Sequence, residues 1–513
     1  MDFADIREAA PARAVSSGRL RRRIGSTAAW LVAALAFTVA HARVGAQESS
    51  ATPPIPPGHW AYAALDRLAA AGLIDGEWAI GHQPQSAGAM ESAFRSAQVR
   101  ATEDGSPLAD FARTSAQRFA REYAPSHDAR GGSHVAVREA TFRATGTTGA
   151  ATGFGAVEIG VDVTASLGRH LALSYGPAMN VSAGATTVEH PRVTVVGKLG
   201  SWWATAGRQR FSFGPATGGL ILNGASSFGG VMLGSDGAVR IGGVGRLLGP
   251  LHATAVVSRL PGDTLGKAAW FVAARVSLSP HPRVRIGLTR TALVAGNEHG
   301  DVGLSTLLMV MAGMHSRPNV EDQRASVDLS VALGGRAWRV VPYFEWGFED
   351  TAGAYVEDPG VTAGAYMPFV PGLPDLSLRY EYTAFGESAR MCWFCNSRIT
   401  KWYRHSSVRS AYIGGDGLLI GHPLGGYGYE HRVDVAHWLA GGNARIHAAL
   451  VRRRREPLNL LYESRPGASR GLGIAGSYRI LSALTVDTSL WWESGDAGWR
   501  DAAASIGAQL RID

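Results

Sequence analysis

The feature that most constrains this chain is a strict alternation of apolar and polar side chains that recurs from about residue 134 to the C-terminus. Val157, Ile159, Val161, Val163, Ala165 and Leu167 are interleaved with Glu158, Gly160, Asp162, Thr164, Ser166 and Gly168. Leu376, Leu378, Tyr380 and Tyr382 alternate with Ser377, Arg379, Glu381 and Thr383, and Leu484, Val486, Thr488, Leu490 and Trp492 with Thr485, Asp487, Ser489 and Glu493. Successive side chains on a strand point to opposite faces, so each run has one apolar and one polar face. Many such strands on an exported chain predict a barrel that is apolar outside and wet inside, set in a bacterial outer membrane.

Export is read from the N-terminus. Arg19, Arg21, Arg22 and Arg23 precede an apolar stretch from Thr27 to Ala40, and Val44-Gly45-Ala46 follows as a small-residue cleavage site. That order is a secretory signal peptide over residues 1–46. Cleavage after Ala46 is the first choice, Ala40-His41-Ala42 the alternative, and a retained membrane anchor the competing reading. No later stretch approaches the roughly 20 consecutive apolar residues of a transmembrane helix, and mean hydropathy is −0.01. Glycine is abundant, 65 of 513 residues, and charged residues make up only 18%, as suits strands and turns in a membrane. Residues 1–46 hold seven Lys/Arg and three Asp/Glu, so without them the formal +8 falls to +4. Charge therefore gives no argument for nucleic acid as a partner.

The order of segments follows. Residues 47–58 form a Pro-rich linker, with Ala51-Thr-Pro-Pro-Ile-Pro-Pro57 at its heart. Residues 59–130 have helical periodicity: His59–Ala71 with Trp60, Ala64, Leu65 and Leu68 on one face, then Ala89–Val99, then Pro107–Tyr123. Pro125 and Gly131-Gly132 break that pattern, and residues 131–513 are the barrel. At roughly 20 residues per strand and connection this length gives about 16–20 strands, and even counts are the rule. The reading is an all-β membrane protein: a large antiparallel transmembrane β-barrel of about 18 strands with a small N-terminal helical periplasmic plug. Aromatic clusters at Trp202-Trp203, Tyr343–Phe348 and Trp491-Trp492 suit the two membrane interfaces.

Few residues point to chemistry. Cys392 and Cys395, in Met391-Cys-Trp-Phe-Cys-Asn396, most simply form a local disulfide in an oxidising compartment. His431 and His437 share one face of a strand at about 20 Å spacing, too far apart to chelate one ion, and Asp434 faces the other way. Arg452, Arg453, Arg454 and Arg455 are either a solvated or lipid-headgroup contact or an anion clamp for acidic sugars, since guanidinium matches carboxylate in a bidentate way. No nucleophile elbow, phosphate loop or zinc motif is present, so neither cofactor nor metal is expected. Carboxylate pairs of a glycosidase would be invisible in sequence.

Two segments carry a family resemblance. Gly200-Ser-Trp-Trp-Ala-Thr-Ala-Gly-Arg-Gln-Arg-Phe-Ser-Phe-Gly-Pro-Ala-Thr-Gly-Gly-Leu-Ile-Leu-Asn223 holds a Trp-rich strand, the turn Gly214-Pro215-Ala216-Thr217-Gly218 and an apolar run ending in Asn223. Trp402-Tyr-Arg-His405 is followed by Gly417-Leu-Leu-Ile-Gly-His422. With the His59-Trp60…Gly72-Leu73-Ile74 helix, these segments resemble the capsule assembly Wzi family. The His59 helix also resembles a single surface-layer homology repeat. The chain departs from the Wzi pattern in ending Leu510-Arg-Ile-Asp513 without a terminal aromatic, and in following Asn223 with Gly224-Ala225-Ser226.

The resemblance implies an 18-stranded outer-membrane barrel, closed at its periplasmic end by helices. It also implies a non-enzymatic role: binding exported polysaccharide as a surface lectin and attaching capsule or exopolysaccharide to the cell. Trp393, Phe394 and Arg452 to Arg455 are the nominated polymer contacts and outer-membrane lipid is the second partner; the oligomeric state is left open, with a monomer as the first expectation. A general diffusion porin is the alternative, since alternation describes any barrel, and a glycan-modifying enzyme is the third reading.

Overall fold

The computed structural model describes residues 51–74, 76, 78–123, 134–148, 156–168, 170–182, 185–260, 269–294, 302–314, 321–349, 359–386, 402–404, 411–414 and 418–512. Residues 1–46, expected to be a signal peptide, and Cys392, Trp393, Phe394 and Cys395 lie outside these residues. Eighteen long strands make one closed antiparallel barrel. They are β1 (His134–Thr148), β2 (Ala156–Leu167), β3 (Leu171–Ser182), β4 (Ala185–Leu199), β5 (Trp202–Phe213) and β6 (Leu222–Ser235). There follow β7 (Leu251–Leu260), β8 (Ala269–His281), β9 (Val284–Val294), β10 (Glu321–Val331), β11 (Arg339–Glu349) and β12 (Gly360–Met367). The last six are β13 (Leu376–Phe385), β14 (Gly428–Leu439), β15 (Ala444–Arg455), β16 (Gly467–Arg479), β17 (Leu484–Gly495) and β18 (Arg500–Arg511). Each pairs with its sequence neighbour, and β18 returns to β1 through the pairs Arg511↔Glu139 to Ala502↔Thr148. Closure removes both sheet edges, as a strand-built membrane span requires.

The alternation sets the two faces of the wall. Ile159, Val161 and Leu167 on β2, and Leu490 and Trp492 on β17, are exposed on the outside, while Glu381 on β13 and Glu493 on β17 are buried in the lumen. The aromatic clusters split by the same rule. Trp346 and Phe344 point outward and pack with Tyr382 and Tyr429 over Val361 and Ala384. Trp203, Tyr343 and Trp491 stand on the lumen parity instead: Trp203 donates to Ser235 O at 3.1 Å and Tyr343 to Glu381 at 2.6 Å. Only alternate members of each cluster therefore serve as an interface belt, because adjacent residues on a strand cannot share a face.

Loop lengths orient the barrel. Leu167–Leu171, Leu199–Trp202, His281–Val284, Leu439–Ala444 and Arg479–Leu484 are tight connections, all at the end where β1 begins and β18 finishes. The long connections, 295–320 and 386–427, lie at the other end. Short turns mark the periplasmic side and long loops the outside.

Three helices fill the periplasmic mouth: α1 (Trp60–Ala70), α2 (Ala87–Glu103) and α3 (Ala109–Tyr123). α2 starts two residues before its sequence-based boundary because Ser86 caps it, accepting from Ala89 N at 3.1 Å; a side-chain cap of this kind fixes a helix start. Leu65, Leu68, Phe94, Ala97, Phe111 and Phe119 form an apolar core that Phe369 and Trp438 of the barrel complete. Each large apolar side chain so buried contributes about 1.5–3 kcal/mol relative to exposure.

Arg67 ties α1 to the wall by donating to Pro368 O at 2.9 Å, and it lies 4.3 Å from the Phe111 ring centre. Glu122 ties α3 to the start of α1 through His59 Nε2 at 2.8 Å and Trp60 Nε1 at 2.9 Å. Burial pushes that carboxyl up, but the His59 pair, Arg118 and the Trp60 donor outweigh it and hold it to about 2. A fourth helix, α4 (Leu304–Met311), sits on the outer wall, where Leu307 and Val310 cover Val272, Ala292 and Val294.

Candidate functional site

The outer part of the lumen is filled by chain that is neither helix nor long strand. After β5 the turn Gly214–Gly218 leads into Leu220, Ile221 and Leu222, which pack with Phe385, Trp402, Tyr403, Tyr412, Ile420, Leu424 and Tyr427. Trp402 and Tyr403 are 0% exposed. The two segments that carry the family resemblance thus meet in space. Tyr403 Oη donates to Leu220 O at 2.6 Å and accepts from His422 N at 3.0 Å. Asn223 donates to Leu419 O at 3.1 Å and also to Gly421 O, and Ser226 donates to Leu418 O at 2.8 Å.

Glycine is required at both ends of the turn. A Cβ on Gly214, at φ +111°, would come within 2.6 Å of Glu345 Oε2, and one on Gly218 within 2.4 Å of the His422 ring. Tyr403 holds a left-handed φ of 64°, a strain of about 1–3 kcal/mol in a non-glycine residue. Its N–H is anchored by Glu349 Oε1 at 3.0 Å, and Arg324 stacks 3.4 Å from the Tyr412 ring centre and 5.0 Å from that of Tyr403. Burial lowers the pKa of the His422 imidazole to about 4, so it is neutral at pH 7, and its Nδ1 accepts from Leu424 N at 3.1 Å.

The outer closure reaches the helical one. Gly214 N donates to Gly81 O at 2.9 Å, and His82–Gln83 pairs with Phe213–Ser212. The His82 ring is hydrogen-bonded to Ser277 at 3.1 Å and Thr254 at 2.7 Å. Two adjoining cavities of ≈ 260 Å³ and ≈ 390 Å³ share Gly58, Asp66, Gln83, Thr217 and Arg379. Their polar floor is ordered: Thr217 N donates to Glu381 at 2.8 Å and Arg379 to Thr217 Oγ1 at 2.9 Å. Asp66 accepts from Trp78 Nε1 at 2.6 Å. Burial raises its pKa to about 6, against the lowering effects of the Trp78 bond, Arg379 and Arg285.

The arginine run lies on β15 and obeys the alternation. Arg453 and Arg455 enter the lumen, where Arg453 pairs with Glu430 at 2.5 Å and Glu493 at 2.7 Å, and Arg455 with Glu493 at 3.4 Å. Ser469 adds a bond to Glu493 at 2.7 Å. Arg452 and Arg454 are exposed on the outer wall. Four arginines in a row on a strand cannot converge on one anion, so the expected single clamp is corrected to two separate pairs. Trp393 and Phe394 fall in the sequence between β13 and β14, outside the described residues. His431 and His437 take the outer parity of β14, while Asp434 faces inward to Arg432 and His447, each at 2.8 Å. Among the described residues no group of three or more His, Cys, Asp or Glu could hold a metal ion. Sequence reasoning missed Asn223, Tyr403 and His422 as a hydrogen-bonded set; their only signal was the two quoted motifs.

A family model described as capsule assembly protein Wzi matches residues 134–494. The chain belongs to the Wzi capsule assembly family. The barrel of Escherichia coli Wzi, described as a carbohydrate-binding outer-membrane β-barrel involved in group 1 capsule assembly, superposes with a TM-score of 0.69 at 15% identity. That match covers 90% of this chain and 100% of that one, and it speaks to fold. The Pseudomonas aeruginosa barrels OccK5 (OpdH) and OpdL superpose at TM-score 0.46 and 10% identity, over 74% and 75% of this chain and 98% and 99% of theirs, too low to carry an argument. No curated protein sequence matches the chain. As a Wzi-family barrel it resides in the outer membrane.

Proposed function

We propose that this barrel binds exported polysaccharide at its outer end and helps assemble or attach capsule or exopolysaccharide at the cell surface, without catalysing a reaction. The observation that carries this reading is a lumen occupied at both ends in a member of the Wzi family. A diffusion porin needs a continuous aqueous path, and the helices below and the aromatic closure above both stand in its way. Side-chain hydrogen bonds from Tyr403, Asn223 and Ser226 to backbone carbonyls pin the closure in place, so it serves as a platform rather than as a reacting centre. Trp393 and Phe394, in the chain between β13 and β14, are our proposed polymer contacts. Arg453 and Arg455 hold the wall beneath the platform, and one chain closes the barrel as a monomer.

Deletion of the gene tests the reading by comparing cell-bound with released polymer. Released polymer with an unchanged total is the expected result. Unchanged retention, together with large single-channel conductance of the purified protein in planar bilayers, would replace it with the porin.

A further inference from the structure

We propose that the outer wall of β14–β18 carries a binding site for the phosphate groups of an anionic lipid of the outer leaflet. The proposal stands independently of polysaccharide binding, since it needs only the barrel and its membrane. The strand registers place His431, Arg452, Arg470, Ser494 and Arg500 in one row, each opposite the next across β14, β15, β16, β17 and β18. Arg454 stands two residues further toward the outer end of β15. All four guanidinium groups are exposed, and none is hydrogen-bonded or ion-paired among the described residues. With strands about 4.8 Å apart, Arg452 and Arg500 are roughly 14 Å apart along the row.

The wall sorts its charges by face. Glu430, Glu493 and Asp501 take the lumen parity of these strands, are buried, and pair with Arg453, Arg455 and the half-buried Arg465. Among the described residues the negative charges near the row on the outer side stand in the connections above it: Asp496 in the β17–β18 turn and Glu456 and Glu463 between β15 and β16. The next row toward the membrane is apolar: Val433, Leu450, Leu472 and Trp492 are 39, 58, 37 and 44% exposed. Beside the arginines, Tyr380 and Tyr382 of β13 flank His431, with Tyr380 Oη bonded to His431 Nδ1 at 2.9 Å.

The arginines therefore lie at the upper border of the lipid-facing band, where aromatic rings and headgroups meet. An arginine on the lipid face is costly at mid-membrane and nearly free at the interface, where anionic headgroups attract it. Guanidinium forks match phosphate oxygens in a bidentate way. Arg290, another outer-wall arginine, makes the contrast. It is covered by α4 and donates to Val310 O at 3.2 Å, whereas the arginines of β15–β18 have no hydrogen-bond partner among the described residues and face the leaflet.

The test uses the full mature protein in detergent, with native mass spectrometry to count bound lipid. The probes are bisphosphorylated lipid A, its dephosphorylated form, and inorganic phosphate as competitor. Wild type should retain bisphosphorylated lipid A and not the dephosphorylated form. Arg452→Gln, Arg470→Gln and Arg500→Gln combined should weaken retention on the order of a hundredfold, with each single variant intermediate. Arg246→Gln, on a periplasmic turn, should change nothing. Heat-modifiable gel mobility confirms that each variant is folded, and the single variants serve if the triple variant is not. Equal retention by wild type and the folded variants, or equal retention of the dephosphorylated lipid, would overturn the site. Displacement by millimolar inorganic phosphate would overturn the lipid and leave a free-phosphate site.

Discussion

The two ends of the lumen are closed by different means. The periplasmic closure is a small unit of three helices with its own apolar core, held to the wall by a few contacts such as Arg67 to Pro368 O. The outer closure has almost no backbone ladder. Its chain is pinned by side chains to backbone: Tyr403 to Leu220, Asn223 to Leu419 and Gly421, and Asn459 to Leu424 at 3.0 Å and Tyr427 at 2.9 Å. A domain with its own core keeps its shape when one contact is lost. A pinned chain depends on each pin, so the outer closure should be both the more easily reshaped and the more closely tied to function.

Trp402→Ala is the strongest way to break that contrast. The indole is 0% exposed and meets Phe385 at 4.8 Å and Tyr403 at 5.5 Å between ring centres. Its loss should cost about 3–5 kcal/mol locally. Hydrogen exchange should rise across residues 411–427 and polymer retention should fall, with heat-modifiable mobility and the protection of α1–α3 unchanged. Equal loss of protection in the helices would mean that the two closures form one cooperative unit.

Leu65→Ala asks the reciprocal question. This residue is 0% exposed in the helical core, and truncation should cost about 3 kcal/mol. Faster exchange should appear in α1 and α2 alone, with polymer retention intact. A fall in retention would show that the Gly81–Gly214 contact transmits the state of the helices outward.

The same contrast explains what the sequence could tell. Helical spacing in Ala64, Leu65 and Leu68 and period two in Val157–Leu167 are repeating signals, so both the plug and the 18-strand barrel were legible. The outer closure repeats nothing. Gly214–Asn223 and Trp402–His422 were visible as motifs, but almost 200 residues separate them, and no periodicity says that Tyr403 reaches Leu220. The split of Arg452–Arg455 was legible in principle. Applying the alternation rule to the arginines themselves would have put Arg453 and Arg455 with Glu430 and Glu493, and Arg452 and Arg454 outside.

A milder change sharpens the idea of pins. Tyr403→Phe keeps the ring stack over Arg324 and removes one hydroxyl. Leu220 O loses its donor and His422 N its acceptor, both in buried surroundings, and a buried polar group left without a partner costs about 1–3 kcal/mol. Exchange should quicken at His422 and its neighbours and leave the helices untouched. An unchanged rate at His422 would mean that packing, and not the hydroxyl, fixes the chain.

The smallest expected effect is a pH dependence that separates the closures. Asp66 on α1 has its pKa raised to about 6 by burial, against an ordinary value of 3.8. Between those values the folded protein holds more protons than the unfolded chain, so the stability of the α1 docking declines as pH rises through that window and is level above it. In the outer closure His422 is held to about 4 by burial and stays neutral above that pH. Glu122, held to about 2, contributes stability that is lost only as pH falls below its ordinary 4.5. Hydrogen exchange corrected for the intrinsic rate should therefore show α1 less protected at pH 7 than at pH 5, with residues 411–427 alike at both. Asp66→Asn retains an acceptor for Trp78 and should abolish the difference. A wild-type α1 equally protected at both pH values would place Asp66 in open water and remove the distinction between a titrating closure and a silent one.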